Sequence, residues 1–194
     1  MHKEVLSAVA IALTFIAFLP YIRSILQGKT KPHVFSWIIW GATTFVVFLA
    51  QLADKGGAGA WPIGVSGLIT IYVALLAYSK KSDSSITRTD WLFLTAAMTS
   101  LPFWYFTSNP LWAVVILTAV DLIGFGPTFR KAYFYPNEES LTFFVIITAR
   151  NFIAISALQH YSMTTVLFPA LTALACLVFI SMVVHRRKLL TEYE

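Results

Sequence analysis

The sequence predicts an all-α membrane protein with seven transmembrane helices. Of its 194 residues, 58% are hydrophobic and 12% are charged, whereas an ordinary soluble domain is roughly 45–50% apolar and about 25% charged. Seven apolar stretches reach the length of about 20 residues that a helix needs to cross a bilayer core of about 30 Å. The predicted spans are 5–26, 33–53, 59–79, 89–107, 111–131, 140–159 and 164–185.

Turn-forming and charged residues separate each span from the next. In chain order, the breaks read GKTKPH, DKGGAG, SKKSDSSITRTD, TSNP, FYPNEES and QHYS. The first span continues for about twenty residues without a small-residue cleavage site, so we expect a mature transmembrane helix there rather than a signal peptide.

The positive charges predict the orientation of these spans. The side that holds the first, third and fifth loops and the C-terminus carries eleven of the 14 Lys and Arg residues: Arg23, Lys29, Lys31, Lys80, Lys81, Arg88, Arg130, Lys131, Arg186, Arg187 and Lys188. The opposite side has only Lys3 and Lys55. Because positive residues accumulate in cytoplasmic loops, we predict an outside N-terminus and a cytoplasmic C-terminus, in a plasma (inner) membrane. The net charge of +5 is thereby assigned to topology, and no nucleic-acid partner is predicted.

An internal repeat relates the first and second halves of the chain. The segment TFIAFLPYIRSILQGKTKPHVFSW returns as DLIGFGPTFRKAYFYPNEESLTFF. Pro20 pairs with Pro127 and Arg23 with Arg130, in both cases 107 positions later. Each proline lies near the cytoplasmic end of the first helix of a three-helix unit.

The repeat predicts two triple-helix bundles, formed by helices 1–3 and 5–7, with helix 4 as their linker. The corresponding domains are 1–81, 82–109 and 110–194. Because the linker is itself a span, both copies enter the membrane in the same direction, as parallel repeats related by an axis along the membrane normal.

The residues around the prolines carry a family resemblance. Pro20 is followed by Arg23 and by Lys-Thr at 29–30, before FSWIIW opens the next helix, and the second copy continues to EESLTFF. This pattern resembles the PQ-loop and SWEET (MtN3-saliva) superfamily, in which a Pro-Gln pair, a basic residue and Lys-Ser or Lys-Thr mark each bundle. The glutamine position holds Tyr21 in one copy and Thr128 in the other. The resemblance implies a divergent seven-helix member that moves a sugar, an amino acid or another small metabolite.

The repeated prolines are candidate hinges. Proline removes a helical hydrogen bond and kinks the helix, which a membrane tolerates where neighbours or cavity water satisfy the freed carbonyl. The resemblance implies that Pro20 and Pro127 act as flexible points. Gly124 and Gly126 loosen the second site further, so we expect the second bundle to bend more. A static kink that shapes packing is the alternative.

Two charged residues fall within predicted spans. Asp121 and Arg150 each lie about ten residues from a span end, which at 1.5 Å per residue places both near the bilayer midplane. Charges at that depth pair with each other or face a water-filled cavity. We therefore expect an ion pair or a shared polar pocket, serving either as a structural bridge or as a substrate site. In the substrate interpretation, Arg150 holds an anionic or hydroxyl-rich solute while Asp121 positions it or exchanges a proton.

Further polar and aromatic residues complete the predicted binding site. Asn151 follows Arg150 directly, and the first repeat offers Thr14 and Thr43 (or the adjacent Thr44) at the equivalent depth. Trp37 and Trp40 share one face of the second helix. They are expected to form an aromatic wall on the cytoplasmic side of a pocket, with packing or an interfacial belt as the alternative.

The sequence contains no pattern that predicts an enzyme. It lacks a phosphate-binding glycine loop, zinc-type Cys/His spacing and a nucleophile elbow, and no cofactor or metal is predicted. We expect a transporter whose partners are a small-molecule substrate and the lipid bilayer. Proton coupling and a homo-oligomeric state are left open. The alternative is a seven-helix receptor or binding scaffold of the same fold that does not transport.

Overall fold

A computed structural model describes residues 2–28, 34–80, 88–138 and 141–192. These residues form α-helices and two short 3-10 turns, Gly57–Ala60 and Pro136–Glu138, with no strand among them. The helices are α1 His2–Leu26, α2 Val34–Ala53, α3 Trp61–Ser79, α4 Arg88–Thr107, α5 Pro110–Gly124, α6 Gly126–Phe134, α7 Leu141–Ser156 and α8 Met163–Glu192. The predicted all-helical class is confirmed.

Four segments are long and apolar enough to cross a membrane by length and composition: His2–Leu26, Val34–Ala53, Gly57–Ser79 and Met163–Leu190. Two further helices, α5 and α7, are apolar but shorter. This set of helices is compatible with an integral membrane protein.

The predicted fifth span, 111–131, is divided in the structure. Helix α5 ends at Gly124 and α6 begins at Gly126, and the N–H of Phe125 bonds the carbonyl of Leu122 at 3.1 Å instead of continuing the α-helical ladder. Proline favours the first turn of a helix because it has no N–H to contribute. The Gly-Phe-Gly-Pro sequence therefore ends one helix and starts the next, whereas α1 continues through Pro20.

The last two predicted spans also differ in length from the observed helices. Helix α7 stops at Ser156, short of the predicted residue 159. Helix α8 continues to Glu192, beyond the predicted residue 185. The extension carries Arg186, which donates to the carbonyl of Tyr133 at 3.0 Å. Cationic donors near a helix C-terminus satisfy its free carbonyls, so the end of α8 stabilises the end of α6.

The helices pack in pairs that come in matching sets. Helix α2 contacts α3, and α7 contacts α8; α1 contacts α3, and α5 contacts α8; α1 also contacts α7, and α5 contacts α2. If α5, α7 and α8 are taken as the counterparts of α1, α2 and α3, every contact in this set has a corresponding contact in the same set. Helix α4 packs against α5 and α2.

Glycines allow the closest of these approaches. A Cβ atom on Gly41 of α2 would lie 2.9 Å from the backbone nitrogen of Ile71 in α3. Small residues bring membrane helices into direct backbone contact, so α2 and α3 form a tightly packed pair beside the central space of the bundle.

Candidate binding site in the helical bundle

A cavity of about 420 Å³ lies between α1, α2, α3, α5, α7 and α8. This volume is within the range of small-molecule sites, roughly 300–1,000 Å³. Its lining combines an aromatic wall, several hydroxyls and two charges. The residues are Phe18, Tyr21, Trp37, Trp40, Thr44, Ser66, Thr70, Asp121, Gly124, Phe125, Thr128, Phe143, Phe144, Ile147, Arg150, Phe168 and Thr172.

Asp121 and Arg150 line this cavity together, as the only charged residues of its lining within the described part of the chain. Their side chains are buried, with 8% and 4% relative exposure. Within the described ranges, neither side chain makes an ion pair, and the Asp121 carboxylate accepts no hydrogen bond. The expected shared pocket is present, and the expected direct contact between the two groups is not.

The Arg150 guanidinium is nearly unpaired. Its Nη2 donates to Ser66 Oγ at 3.4 Å, which is long for a hydrogen bond. Its Nε and Nη1 are buried and have no partner among the described residues. A guanidinium carries five N–H donors, and buried donors left without acceptors are destabilising. Arg150 is therefore positioned to bind an acceptor that enters the cavity.

Aromatic side chains form one wall of the cavity. The rings of Tyr21 and Trp37 stack with centroids 5.0 Å apart, and Trp37 meets Trp40 edge to face at 5.8 Å. Trp40 reaches helix α5, where a Cβ on Gly124 would lie 3.0 Å from its Nε1. Since Gly124 is nearly one helical turn beyond Asp121, the wall reaches the face of α5 that carries Asp121. We call Tyr21, Trp37 and Trp40 the aromatic wall.

Four residues of the predicted site line the cavity, namely Asp121, Arg150, Trp37 and Trp40, and so does Thr44, the predicted alternative to Thr43. The other three, Thr14, Thr43 and Asn151, are not in its lining. Thr14 Oγ1 donates to the carbonyl of Ala10 at 2.9 Å and Thr43 Oγ1 to that of Trp40 at 3.1 Å. Asn151 is fully buried, and its side-chain oxygen and nitrogen have no partner among the described residues.

The candidate hinges differ in position. Pro20 lies inside α1 and is not in the cavity lining, whereas Gly124 is. Gly126 opens α6, and a Cβ there would have no neighbour within 4 Å. Pro127 belongs to α6, but its side chain lies outside the described residues, as do those of Arg130 and of residues 29–33 and 139–140.

Sequence reasoning missed several cavity residues, including Tyr21, Ser66 and Thr70. Ser66 and Thr70 are four apart and therefore lie on one face of α3. Likewise, the spacing of Trp37, Trp40 and Thr44 places them on one face of α2. Trp37 and Trp40 were predicted from this spacing, and the same search applied to hydroxyls in the third span would have found Ser66 and Thr70.

The end of the bundle opposite the α1–α2 connection is closed by contacts between two regions, 51–60 and 157–165. We call these two regions the closed end. The first contains the connection from α2 to α3, and the second contains the connection from α7 to α8. The backbone N–H of Gln159 donates to the carbonyl of Gly56 at 3.0 Å. The backbones of the two connections are therefore in direct contact here.

Side chains strengthen the closed end. Ser162 donates to the Asp54 carboxylate, and His160 Nδ1 lies 3.0 Å from the Asp54 carbonyl oxygen. Helix α1 joins them, because Ser7 Oγ donates to the carbonyl of Ala58 at 2.6 Å. The two connections and the start of α1 therefore form a single hydrogen-bonded group.

A buried glutamine compensates for a proline at this end. Pro169 lies inside α8, and its missing N–H leaves the carbonyl four residues earlier, on Thr165, without its helical donor. Gln51 Nε2 donates to that carbonyl at 2.7 Å. A side chain of α2 therefore satisfies a backbone group of α8, as a proline within a membrane helix requires.

Comparisons with protein-family models, curated proteins and solved structures found no match. The fold and the cavity therefore provide the argument for function.

Proposed function

We propose that this protein is a membrane transporter that moves a small polar solute by alternating access. The observation that carries the proposal is the position of the cavity. It lies within a bundle of apolar helices and is separated from one face of the bundle by the closed end. It holds two buried charges that form no ion pair among the described residues. A charge within the membrane normally marks a substrate or ion pathway.

The matching helix contacts support two triple-helix units, α1–α3 and α5–α8, in which α5 and α6 together make the fifth of seven spans. In this arrangement, α4 links the units, the domains are 1–81, 82–109 and 110–194, and the repeats are parallel. The orientation stays as predicted from the positive charges, with the N-terminus outside. The resemblance to the PQ-loop and SWEET superfamily is part of the same proposal.

Alternating access requires the two units to separate at the closed end. Residues 54–60 belong to the first unit and residues 157–162 to the second, so the hydrogen bonds between them cross the boundary between the units. Breaking these bonds opens the cavity toward this face, while the division of α5 from α6 and the position of Pro20 in α1 absorb the movement. Hinge residues of this kind change backbone angles while the packed helices move as rigid bodies.

A reversible crosslink tests this mechanism. Asp54→Cys combined with Ser162→Cys places two thiols where the native side chains already bond. We expect proteoliposomes containing the reduced protein to take up at least one of a set of radiolabelled amino acids, glycine betaine and glucose. Oxidation should stop this uptake, and reduction should restore it. The Asp54→Cys single variant is the control and should transport under both conditions.

Two results would contradict the proposal. Uptake that continues at full rate in the oxidised double variant would exclude opening at the closed end. Ligand binding without uptake, in any proteoliposome preparation, would instead favour the alternative of a receptor or binding scaffold. The assay repeated with and without a pH gradient determines whether Asp121 couples transport to protons.

A further inference from the structure

We propose that the cavity binds a zwitterion, with the solute carboxylate on Arg150 and its ammonium group between Asp121 and the aromatic wall. The inference deepens the proposed function by naming its substrate class, and it rests on that function only in treating the ligand as cargo. Binding can be measured without transport.

The anionic half of the solute is assigned by the free donors of Arg150. Two of its nitrogens, Nε and Nη1, have no partner among the described residues, and the third is held by a single long bond to Ser66. A guanidinium binds a carboxylate through two parallel N–H donors. Because Asp121 does not contact this group, the donor pair is available to a carboxylate that comes from outside the chain.

The cationic half is assigned by Asp121 and its surroundings. The carboxylate is buried and has no donor partner among the described residues. Trp40 of α2 packs against Gly124 of α5. Gly124 lies three residues after Asp121 on the same face of α5, and the indole and the carboxylate line the same cavity. Tryptophan provides the strongest cation–π attraction of the aromatic residues. A carboxylate beside indole rings is suited to an ammonium group, and an N-methylated ammonium gains most from the rings.

The presence of one negative and one positive group in the same cavity distinguishes between solute classes. A neutral sugar would satisfy hydrogen bonds but would leave each buried charge without a counter-charge in direct contact. A simple anion would compensate Arg150 alone, and a simple cation Asp121 alone. Only a solute with both charges compensates both residues, and an uncompensated buried charge is strongly unfavourable. The cavity of about 420 Å³ accepts one solute of amino-acid size.

Calorimetry on the detergent-purified full chain provides the test. The probes are the standard α-amino acids and glycine betaine as zwitterions, acetate as anion only, tetramethylammonium as cation only, and glucose as neutral solute. We expect at least one zwitterion to bind about tenfold to a hundredfold more tightly than acetate or tetramethylammonium, and glucose not to bind. Tighter binding of glucose or of a single-charge probe, or no zwitterion binding, would overturn the inference.

Two variants identify the residues that hold each charge. Arg150→Gln and Asp121→Asn should each weaken zwitterion binding by about tenfold to a hundredfold. Asp121→Asn should leave acetate binding unchanged, and Arg150→Gln should leave tetramethylammonium binding unchanged, which also shows that the variant is folded. The exposed Arg88→Gln is the control for loss of a positive charge and should bind all probes as the native chain does. Equal loss of every probe in both variants would overturn the assignment.

The outcomes separate this inference from the proposed function. Zwitterion binding without uptake in proteoliposomes contradicts transport and leaves the ligand class standing. Uptake of glucose, with no zwitterion bound, contradicts the ligand class and leaves transport standing.

Discussion

The closed end and the cavity differ in whether their polar side chains have partners within the described part of the chain. At the closed end, polar side chains bond directly to the chain: Gln51 to the carbonyl of Thr165 and Ser162 to Asp54. In the cavity, Asp121 has no partner among the described residues and Arg150 has one long bond. Gln51 is as fully buried as Asp121 and Arg150, so solvent exposure alone does not explain the difference between these three side chains.

The contrast shows how polar residues in an apolar bundle can be sorted by function. A buried polar group that finds its partner within the chain stabilises one arrangement of helices. A buried charge without such a partner is unfavourable in the empty protein, and a ligand that supplies the partner recovers that free energy. The closed end therefore stabilises a conformation, and the cavity is available for recognition.

Breaking the closed end should have the largest effect. A Cβ on Gly59 would lie 2.5 Å from the backbone nitrogen of Leu158 and 2.6 Å from the carbonyl oxygen of Ala154. Backbone atoms cannot rotate away as a flexible side chain can. We expect Gly59→Val to reduce the free energy of unfolding by about 1–3 kcal/mol or more, measured by thermal unfolding in detergent.

The control for this variant is Gly126→Ala, where an added Cβ would meet no atom within 4 Å. Its stability should fall by less than that of Gly59→Val, because the added methyl group meets no neighbouring helix and only the general restriction on a residue before proline applies. If the Gly59→Val variant has the same unfolding temperature as the native protein, the close packing described for the closed end is wrong.

The bond between Gln51 and α8 should have an intermediate effect that depends on Pro169. Gln51→Leu leaves the carbonyl of Thr165 without a donor, at a cost of about 1–3 kcal/mol. Pro169→Ala restores an N–H that can bond this carbonyl within the helix. We therefore expect Gln51→Leu to be less destabilising in a Pro169→Ala background than in the native one. A double-mutant cycle of unfolding free energies measures the difference, and strictly additive effects would contradict the proposed compensation.

The class of fold and the shared cavity of the two charges were predictable, because both predictions depend on distance along a helix. Apolar length predicted the helical class, and the rise per residue led us to expect that Asp121 and Arg150 share a pocket, which both of them line. Rotation about the helix axis is different, since packing against neighbours determines it. Thr14 and Thr43 are at suitable depths, yet each bonds a carbonyl of its own helix.

Helix breaks were also only partly predictable. Proline within an apolar run indicates a weak point, but neighbouring residues decide its consequence. Helix α1 continues through Pro20, whereas α5 ends just before Gly126 and Pro127. Two glycines flanking Phe125 reduce helix stability there by about 0.5–1 kcal/mol each relative to alanine. Their sum explains why only the second site divides its helix.

The smallest predicted effect changes the cavity without touching the closed end. Gly124→Ala adds a Cβ 3.0 Å from Trp40 Nε1, so the indole must shift by a few tenths of an ångström. Part of a cation–π attraction of about 0.5–1 kcal/mol is then lost. Its complete loss would raise Kd about two- to fivefold, so we expect an increase of at most that size. Glycine betaine binding by calorimetry measures the change, and thermal unfolding should show no loss of stability. Unchanged affinity would place the ammonium group away from Trp40, and reduced stability would show instead that Gly124 serves packing.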